Sequence, residues 1–351
     1  MKKRIFASIL TGLLTVATLA GCGASNGSAG GNGSTASTVV TEDGKELQTL
    51  RAAVMTGQPD QYIAEVGIQQ GIFEKYGINL EATEYIYGIA TIDAIVNGTA
   101  DIGEMADYAA VNRLGNTYGV TDLVLFSELT AGSEMTGGLY VAPEYVDNLD
   151  ALDGSKGFMT TTGTVVDYYI ANAIEWLGLD YDKQNIVAVD STQTALALAQ
   201  SNSASAYIVG GANAKYFEEQ GWQLVATYTE IGLTTGSYML ANRTFVDANA
   251  ELLANYLLAF EEARQYITDN LDESATYLAG KLGIVEEDFK ANWNNFKIQP
   301  GFTEEAAEHL NGVRQWAFEN GRFEADYDIK EFVDTKAIEI AFPDRITIKF
   351  N

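Results

Sequence analysis

From Leu50 onward, short apolar runs rich in β-branched and aromatic residues alternate with longer stretches whose apolar positions recur at helical spacing. The runs predict strands over 50–56, 78–86, 100–105, 123–130 and 138–142, and again over 157–161, 186–189, 204–209, 222–228 and 238–241. The stretches between them predict helices over 62–70, 88–97, 108–114, 164–177, 192–200 and 214–219. Alternation of this kind gives βαβ units and parallel sheets, because each crossover helix covers the strands it connects. The expected fold class is therefore α/β. Past Asn242 the pattern turns helical throughout, over 249–270, 271–282, 286–293 and 303–320, with Leu252, Tyr256, Ala259 and Phe260 spaced to bury one face. Helices cannot extend a sheet, so this region is expected to brace it. The terminal "ITIKF" at 346–350 alternates like a strand, and the pattern does not place it.

Ligands of parallel sheets sit beyond the carboxyl ends of the strands, where loops lead into helix N-termini. Those loops are "TGQPDQY" at 56–62, "YIYGIA" at 85–90, "GEMADY" at 103–108, "AGSEMTGG" at 131–138, "TTTGTVVDYY" at 160–169, "GGANAK" at 210–215 and "TTGSY" at 234–238. In the fifth, Thr164 followed three positions later by Asp167 has the spacing of a capping box, and Val165, Tyr169, Ala173 and Leu177 form the stripe of the helix that follows. The free amides near Gly163 and Thr164 suit a carboxylate, sulfonate or phosphate, or simply begin a well-capped helix. Tyr62, Tyr87, Tyr108 and Tyr168 recur in or beside these loops, as rings to cover a flat ligand or as half-buried scaffold. Glu104, Asp107, Glu134 and Asp167 are candidates for binding an amine or hydroxyls, Asp107 and Asp167 equally for capping helices. Lys215 is the exception in loops otherwise poor in Lys and Arg, which argues against an inorganic anion such as nitrate.

The first residues carry a different signal. Lys2, Lys3 and Arg4 precede an apolar run over 5–20 that is shorter than the roughly 20 residues a membrane span needs. The run ends at Leu19-Ala20-Gly21-Cys22, the order of a bacterial lipoprotein signal, and Cys22 is the chain's one cysteine. Residues 1–21 are thus expected to be a signal peptide and Cys22 a lipid attachment point, the alternative being an ordinary secretory signal. The Gly-, Ser- and Thr-rich stretch after it reads as a tether, taken as 22–46, since it buries too little apolar surface to offset its ordering. Loss of 1–21 removes three cations and no acids, leaving 18 Lys plus Arg against 48 Asp plus Glu, a formal charge of −30. Such a surface repels nucleic acid.

Catalytic and metal motifs are missing. The sole histidine, His309 in "EEAAEHL", lies far in sequence from every ligand loop and reads as a surface helix residue. There is no G-x-S-x-G, Walker or G-x-G-x-x-G signature at a strand end, and "NLDALDG" at 148–154 lacks the acid spacing of an EF-hand. No cofactor and no metal is expected.

Several stretches taken together resemble the sulfonate, nitrate and taurine type of ABC-transporter substrate-binding proteins. The first lobe of that family is matched by Gly71, Ile72, Phe73, Glu74, Lys75 and Gly77, then Gly88, then Asn97, Gly98, Asp101, Ile102 and Gly103. The beginning of its second lobe is matched by Leu149, Leu152, Gly154, Gly163 and Thr164. The chain departs from the family at "VGG", 209–211, and in its extra C-terminal residues, which leaves the ligand open. The resemblance implies a periplasmic-binding-protein type II architecture, with lobe 1 from 47–137 and 237–351 and lobe 2, inserted into it, from 138–236. It implies a monomeric extracytoplasmic receptor that closes on a small sulfonate, carboxylate or pyrimidine-like solute and passes it to an ABC permease. The solute contacts it implies are Gln58, Tyr62, Tyr87, Gly88, Glu104, Asp107, Ser133, Thr136, Gly163, Thr164 and Asn213. Two alternatives share the fold: an enzyme like the thiamine-pyrimidine synthases, and a receptor that feeds a membrane sensor.

Overall fold

The computed structural model describes residues 36–41, 44–130, 136–152, 155–162 and 164–350, so the signal segment, Cys22, Ser133 and Gly163 lie outside the described residues. The chain begins with β1 (Thr38–Val40), β2 (Glu46–Met55), α1 (Pro59–Gln69), α2 (Ile72–Lys75), β3 (Ile78–Tyr85), α3 (Gly88–Val96), β4 (Ile102–Ala106), α4 (Asp107–Asn116) and β5 (Leu123–Thr130). It continues with β6 (Gly137–Val141), β7 (Gly157–Thr160), α5 (Val165–Trp176), β8 (Ile186–Ala188), α6 (Thr192–Gln200), β9 (Ala204–Gly210), α7 (Ala214–Glu218), β10 (Gln223–Thr227) and α8 (Tyr228–Ile231). It closes with β11 (Ser237–Asn242), α9 (Arg243–Asp269), α10 (Leu271–Leu282), α11 (Glu286–Trp293), β12 (Ile298–Gly301), α12 (Glu304–Glu319) and α13 (Lys336–Ala341).

These strands form two sheets. One has the order β1-β2-β4-β11-β5-β12 with β3 also beside β2, and the other has the order β10-β6-β9-β7-β8. Each sheet carries its own hydrophobic core, one around Phe73, Phe126, Tyr256 and Phe260, the other around Phe158, Tyr207 and Phe217. Val165 and Tyr168 pack against both. The chain leaves the first sheet after Thr130 and returns at Ser237, and the two crossings are pinned together. The Thr130 and Ser237 hydroxyls lie 2.9 Å apart, and the Ser237 amide donates to Thr130 Oγ1 at 3.1 Å.

Four expectations need correction. The sheets are mixed: β2 pairs in parallel with β3 and β4, and β7 with β8 and β9, whereas β11 runs antiparallel to β4 and β5, and β6 to β9 and β10. The strands that follow the crossings enter from the opposite end, a tertiary event that local periodicity cannot report. The stretch read as tether contains β1, which pairs antiparallel with β2, Thr38 opposite Gln48. The C-terminal region is not purely helical, since β12 adds to the edge of the first sheet beside β5. "ITIKF" makes one parallel bridge, Ile346 to Phe302, and no strand. The helix expected to begin at Asn249 starts at Arg243, and Asn249 marks a kink with φ −134° and ψ 30°. Among the described residues no helix is long and apolar enough to cross a membrane.

Candidate functional site

Four helix starts and the end of one strand face a common cavity of about 200 Å³ between the two sheets. The first lobe supplies Met55 at the end of β2, Tyr87, Gly88 and Ile89 at the start of α3, and Ala106 and Ala109 at the start of α4. The second supplies Thr161, Thr164, Val165 and Val166 around the start of α5, Ser191 and Thr192 at the start of α6, and Tyr207 from β9. The walls are thus two phenol rings, four hydroxyls, short aliphatic side chains and helix-start amides.

Local sequence explains how each element arrives there. Thr164 caps α5: its Oγ1 accepts from the Val166 amide at 3.2 Å and donates to the Thr161 carbonyl at 2.7 Å. Ser191 caps α6 by accepting from the Thr194 amide at 3.2 Å. Asp190 accepts from the hydroxyls of Thr194 and Ser191, and these bonds hold its carboxyl below the usual carboxylate range. The cap of α3, Tyr87, makes no side-chain capping bond, so its side chain takes neither the Gly88 nor the Ile89 amide, both on residues that line the cavity. At Gly88 an added Cβ would sit 3.1 Å from the Met105 Cβ and 3.5 Å from the Met55 sulfur, so glycine lets α3 approach the strand ends. The Tyr87 hydroxyl donates to the Asp190 carbonyl and joins the two lobes across one rim. Burial raises the Tyr207 phenol above its ordinary range, with the Thr192 and Thr161 hydroxyls pulling the other way, so it stays protonated as a donor.

Of the residues expected to contact a solute, the structure brings Tyr87, Gly88 and Thr164 to this cavity. Gln58 stands half-buried before α1, and Tyr62 packs edge-on against Phe289 at 5.1 Å in the core of the first lobe. Thr136 is exposed at the approach to β6, where its carbonyl accepts from the Gly211 amide, and Asn213 is exposed at the start of α7. Glu104 and Asp107 are buried behind the cavity wall, 1 % and 0 % exposed. Both Asp107 oxygens are occupied, Oδ1 by the Tyr108 amide at 2.6 Å and Oδ2 by the Gly236 amide at 3.2 Å and His309 Nε2 at 2.7 Å. Asp167 does not complete a capping box. It accepts from the Tyr108 hydroxyl at 3.3 Å and pairs with Arg322 at 3.7 Å.

His309 corrects the sequence reading most sharply, because it is a half-buried partner of Asp107 and not a surface residue. Burial tends to lower its pKa, but the hydrogen bond and charge of Asp107, with Glu128 nearby, raise it on balance. Two further acids sit in the first lobe. Asp60 accepts from the Met55 amide at 2.9 Å, and burial raises its carboxyl to about 7. Neither Glu104 oxygen makes a hydrogen bond of ordinary length and angle; burial first and the Asp60 charge second hold that group well above the usual range, with the Ser237 hydroxyl pulling the other way.

Sequence reasoning missed Met55, Ala109, Ser191, Thr192 and Tyr207 as cavity residues. "DST" at 190–192, a cap signal directly after a short strand, was the available sign for two of them. A larger groove of about 510 Å³ lies between α12 and the 326–331 segment, but it belongs to one lobe only and is crossed by the Arg314–Asp326 and Lys330–Glu304 ion pairs.

The arrangement of two α/β lobes, two crossings and a cavity between strand ends is the periplasmic-binding-protein fold, the fold of sulfonate- and nitrate-binding proteins. The periplasmic aliphatic sulphonate binding protein SsuA from Escherichia coli superposes with a TM-score of 0.69 at 18 % identity, covering 84 % of this chain and 99 % of its own. The periplasmic nitrate-binding protein NrtA from Synechocystis PCC 6803 gives a TM-score of 0.63 at 16 % identity, over 85 % of this chain and 89 % of its own. The desulfurization enzyme DszB gives 0.63 at 12 % identity, over 84 % and 99 %. No protein-family model matches the chain, and no curated protein matches it.

Proposed function

We propose that the chain is an extracytoplasmic solute-binding receptor of an ABC importer, held to the membrane by a lipid on Cys22, which closes its two lobes on one small organic solute. The observation that carries this reading is the cavity itself, walled by both lobes and fed by four helix starts. Its 200 Å³ is somewhat larger than the roughly 150 Å³ that accepts benzene in an engineered core, so the solute is small. Tyr87, Tyr207 and the aliphatic walls suit an apolar body, while the hydroxyls and the amides at Gly88 and Ile89 suit a single anionic or polar head. A compact sulfonate or carboxylate with a hydrocarbon or aromatic body fits both halves. With walls of rings, methyls and hydroxyls, what the site can do is hold and orient a solute. Contacts made only when both walls meet the solute favour the closed form, and that preference is how a permease distinguishes loaded from empty receptor.

The test is a thermal-shift screen of the chain against aliphatic and aromatic sulfonates, taurine, small carboxylates, pyrimidines and nitrate. A true solute at a hundred times its dissociation constant adds about 2.7 kcal/mol of stability. Stabilisation by a sulfonate or carboxylate with an apolar body supports the reading, and a flat response across the panel counts against it.

A further inference from the structure

Behind the cavity the two lobes meet a second time, through a side chain that nothing in the ligand loops announces. Arg322 follows α12, and its backbone is fixed in the first lobe. Its amide donates to the Ala317 carbonyl at 2.9 Å, and its carbonyl accepts from Asn116 of α4 at 3.2 Å. The next residue, Phe323, packs so closely on Gly115 that an added Cβ there would lie 2.4 Å from the ring. From this anchored position the guanidinium finds its hydrogen-bond and ion-pair partners, among the described residues, in the second lobe. It donates to the Tyr181 hydroxyl at 3.1 Å and pairs with Asp167 at 3.7 Å. It also lies over the Tyr181 and Trp316 rings, 5.4 and 5.7 Å from their centres.

Asp167 belongs to an element that walls the cavity. Asp167 follows Val166 directly in α5, and Tyr108, which donates to Asp167 at 3.3 Å, stands between Ala106 and Ala109. Tyr108 stacks on Tyr168 at 5.7 Å and 11°, and Trp316 meets Tyr168 edge-on at 4.9 Å. We propose that Arg322 is a positioning residue, a clasp from the first lobe that holds the α5 start against the α4 start and so limits how far the cleft opens on this side. The two rims are unequal. Opening at the Tyr87 rim breaks one hydrogen bond to a carbonyl, made by a side chain 38 % exposed. Opening at the Arg322 rim breaks a hydrogen bond from a charged donor to the Tyr181 hydroxyl and separates an ion pair with Asp167, which costs more than one neutral hydrogen bond. The cleft therefore gapes from the Tyr87 side.

The clasp can be read without a solute. Nitroxide labels on Val96→Cys in α3 and Gln200→Cys in α6, in the full chain carrying Cys22→Ser, report the lobe-to-lobe distance by pulsed electron resonance. Arg322→Gln is expected to lengthen and broaden that distribution, in a chain whose cooperative thermal transition shows that it is folded. Arg322→Lys is expected to restore it only in part, since an ammonium keeps the charge but lacks the flat guanidinium that lies over the Tyr181 and Trp316 rings. Should Arg322→Gln fail to fold, Tyr181→Phe removes one partner and keeps the ring, and a smaller broadening is expected. An unchanged distribution in the folded variants overturns the clasp. The inference rests on the receptor reading only for its kinetic consequence: with a solute from the screen, Arg322→Gln should raise the dissociation rate about tenfold and leave association nearly unaltered. A screen without hits counts against the receptor reading alone, because the label distances are measured on the free chain.

Discussion

The imidazole of His309 meets the buried carboxylate of Asp107 at 2.7 Å, tying α12 to the first residue of α4 and, through the Gly236 amide on the same oxygen, to the returning crossover. One carboxylate thus gathers three segments at the base of the cleft. The pKa of His309 is raised above its value of 6.5, so its contribution to stability is complete below pH 6.5 and is lost as pH rises through the folded value. His309→Ala is therefore expected to cost about 1.5–3 kcal/mol at pH 5.5, the range for a hydrogen bond to a charged group. Denaturant unfolding should show a smaller loss at pH 9. Equal losses at both values would contradict a charged pair.

Asp60 makes the pH dependence steeper. Its carboxyl is raised from 3.8 to about 7, so the folded form holds a proton that the unfolded chain releases, and stability falls as pH climbs across that interval. Asp60→Asn keeps an acceptor for the Met55 amide and removes the charge. The variant should match the parent near pH 4 and exceed its thermal midpoint at pH 8. A lower midpoint at pH 8 would show that the charge is needed.

How much of this was legible beforehand differs between fold and site. The alternation of strand and helix patterns gave most elements to within a few residues, because each buries a face that its own periodicity encodes. Thr164 as a helix cap and Tyr87 and Gly88 as cleft residues were also readable, since cap chemistry and loop glycines act locally. His309 was not. Its neighbours Ala306, Ala307 and Leu310 carry the buried stripe of α12, and only the docking of α12 on α4 brings the imidazole to Asp107. Tyr207 and Met55 stayed hidden for the same reason, as strand residues that the approach of the other lobe turns into walls. Glu104 and Asp107 misled in the opposite direction: carboxylates in a loop-like segment suggest a ligand, but both turn inward and are buried.

Gly138 in β6 is a structural requirement. A Cβ there would lie 2.0 Å from the Ala226 carbonyl of β10, and the backbone sits at φ 155°. Backbone cannot yield as a side-chain tip would. Gly138→Ala is expected to destabilise the second lobe by more than about 3 kcal/mol, read as loss of hydrogen-exchange protection in β9 and β10. Retention of parental protection would contradict it.

At the rim, Tyr87→Phe deletes the hydroxyl that donates to the Asp190 carbonyl and keeps the ring over the cavity. Loss of one neutral hydrogen bond is worth about 0.5–1.5 kcal/mol, or roughly a twofold to tenfold faster solute release. Stopped-flow dissociation measures this directly. A rate equal to the parent's would mean that the rim contact does not hold the closed form.

The central claim is that one solute is enclosed between the lobes, and calorimetric titration of the screen's best compound into the full chain and into Val166→Phe tests it most directly. Val166 lines the cavity, and the larger ring should take up the space of the guest. The account expects one site per parental chain, a compound that is recovered unchanged, and no heat with the variant. Undiminished binding to folded Val166→Phe would place the solute elsewhere.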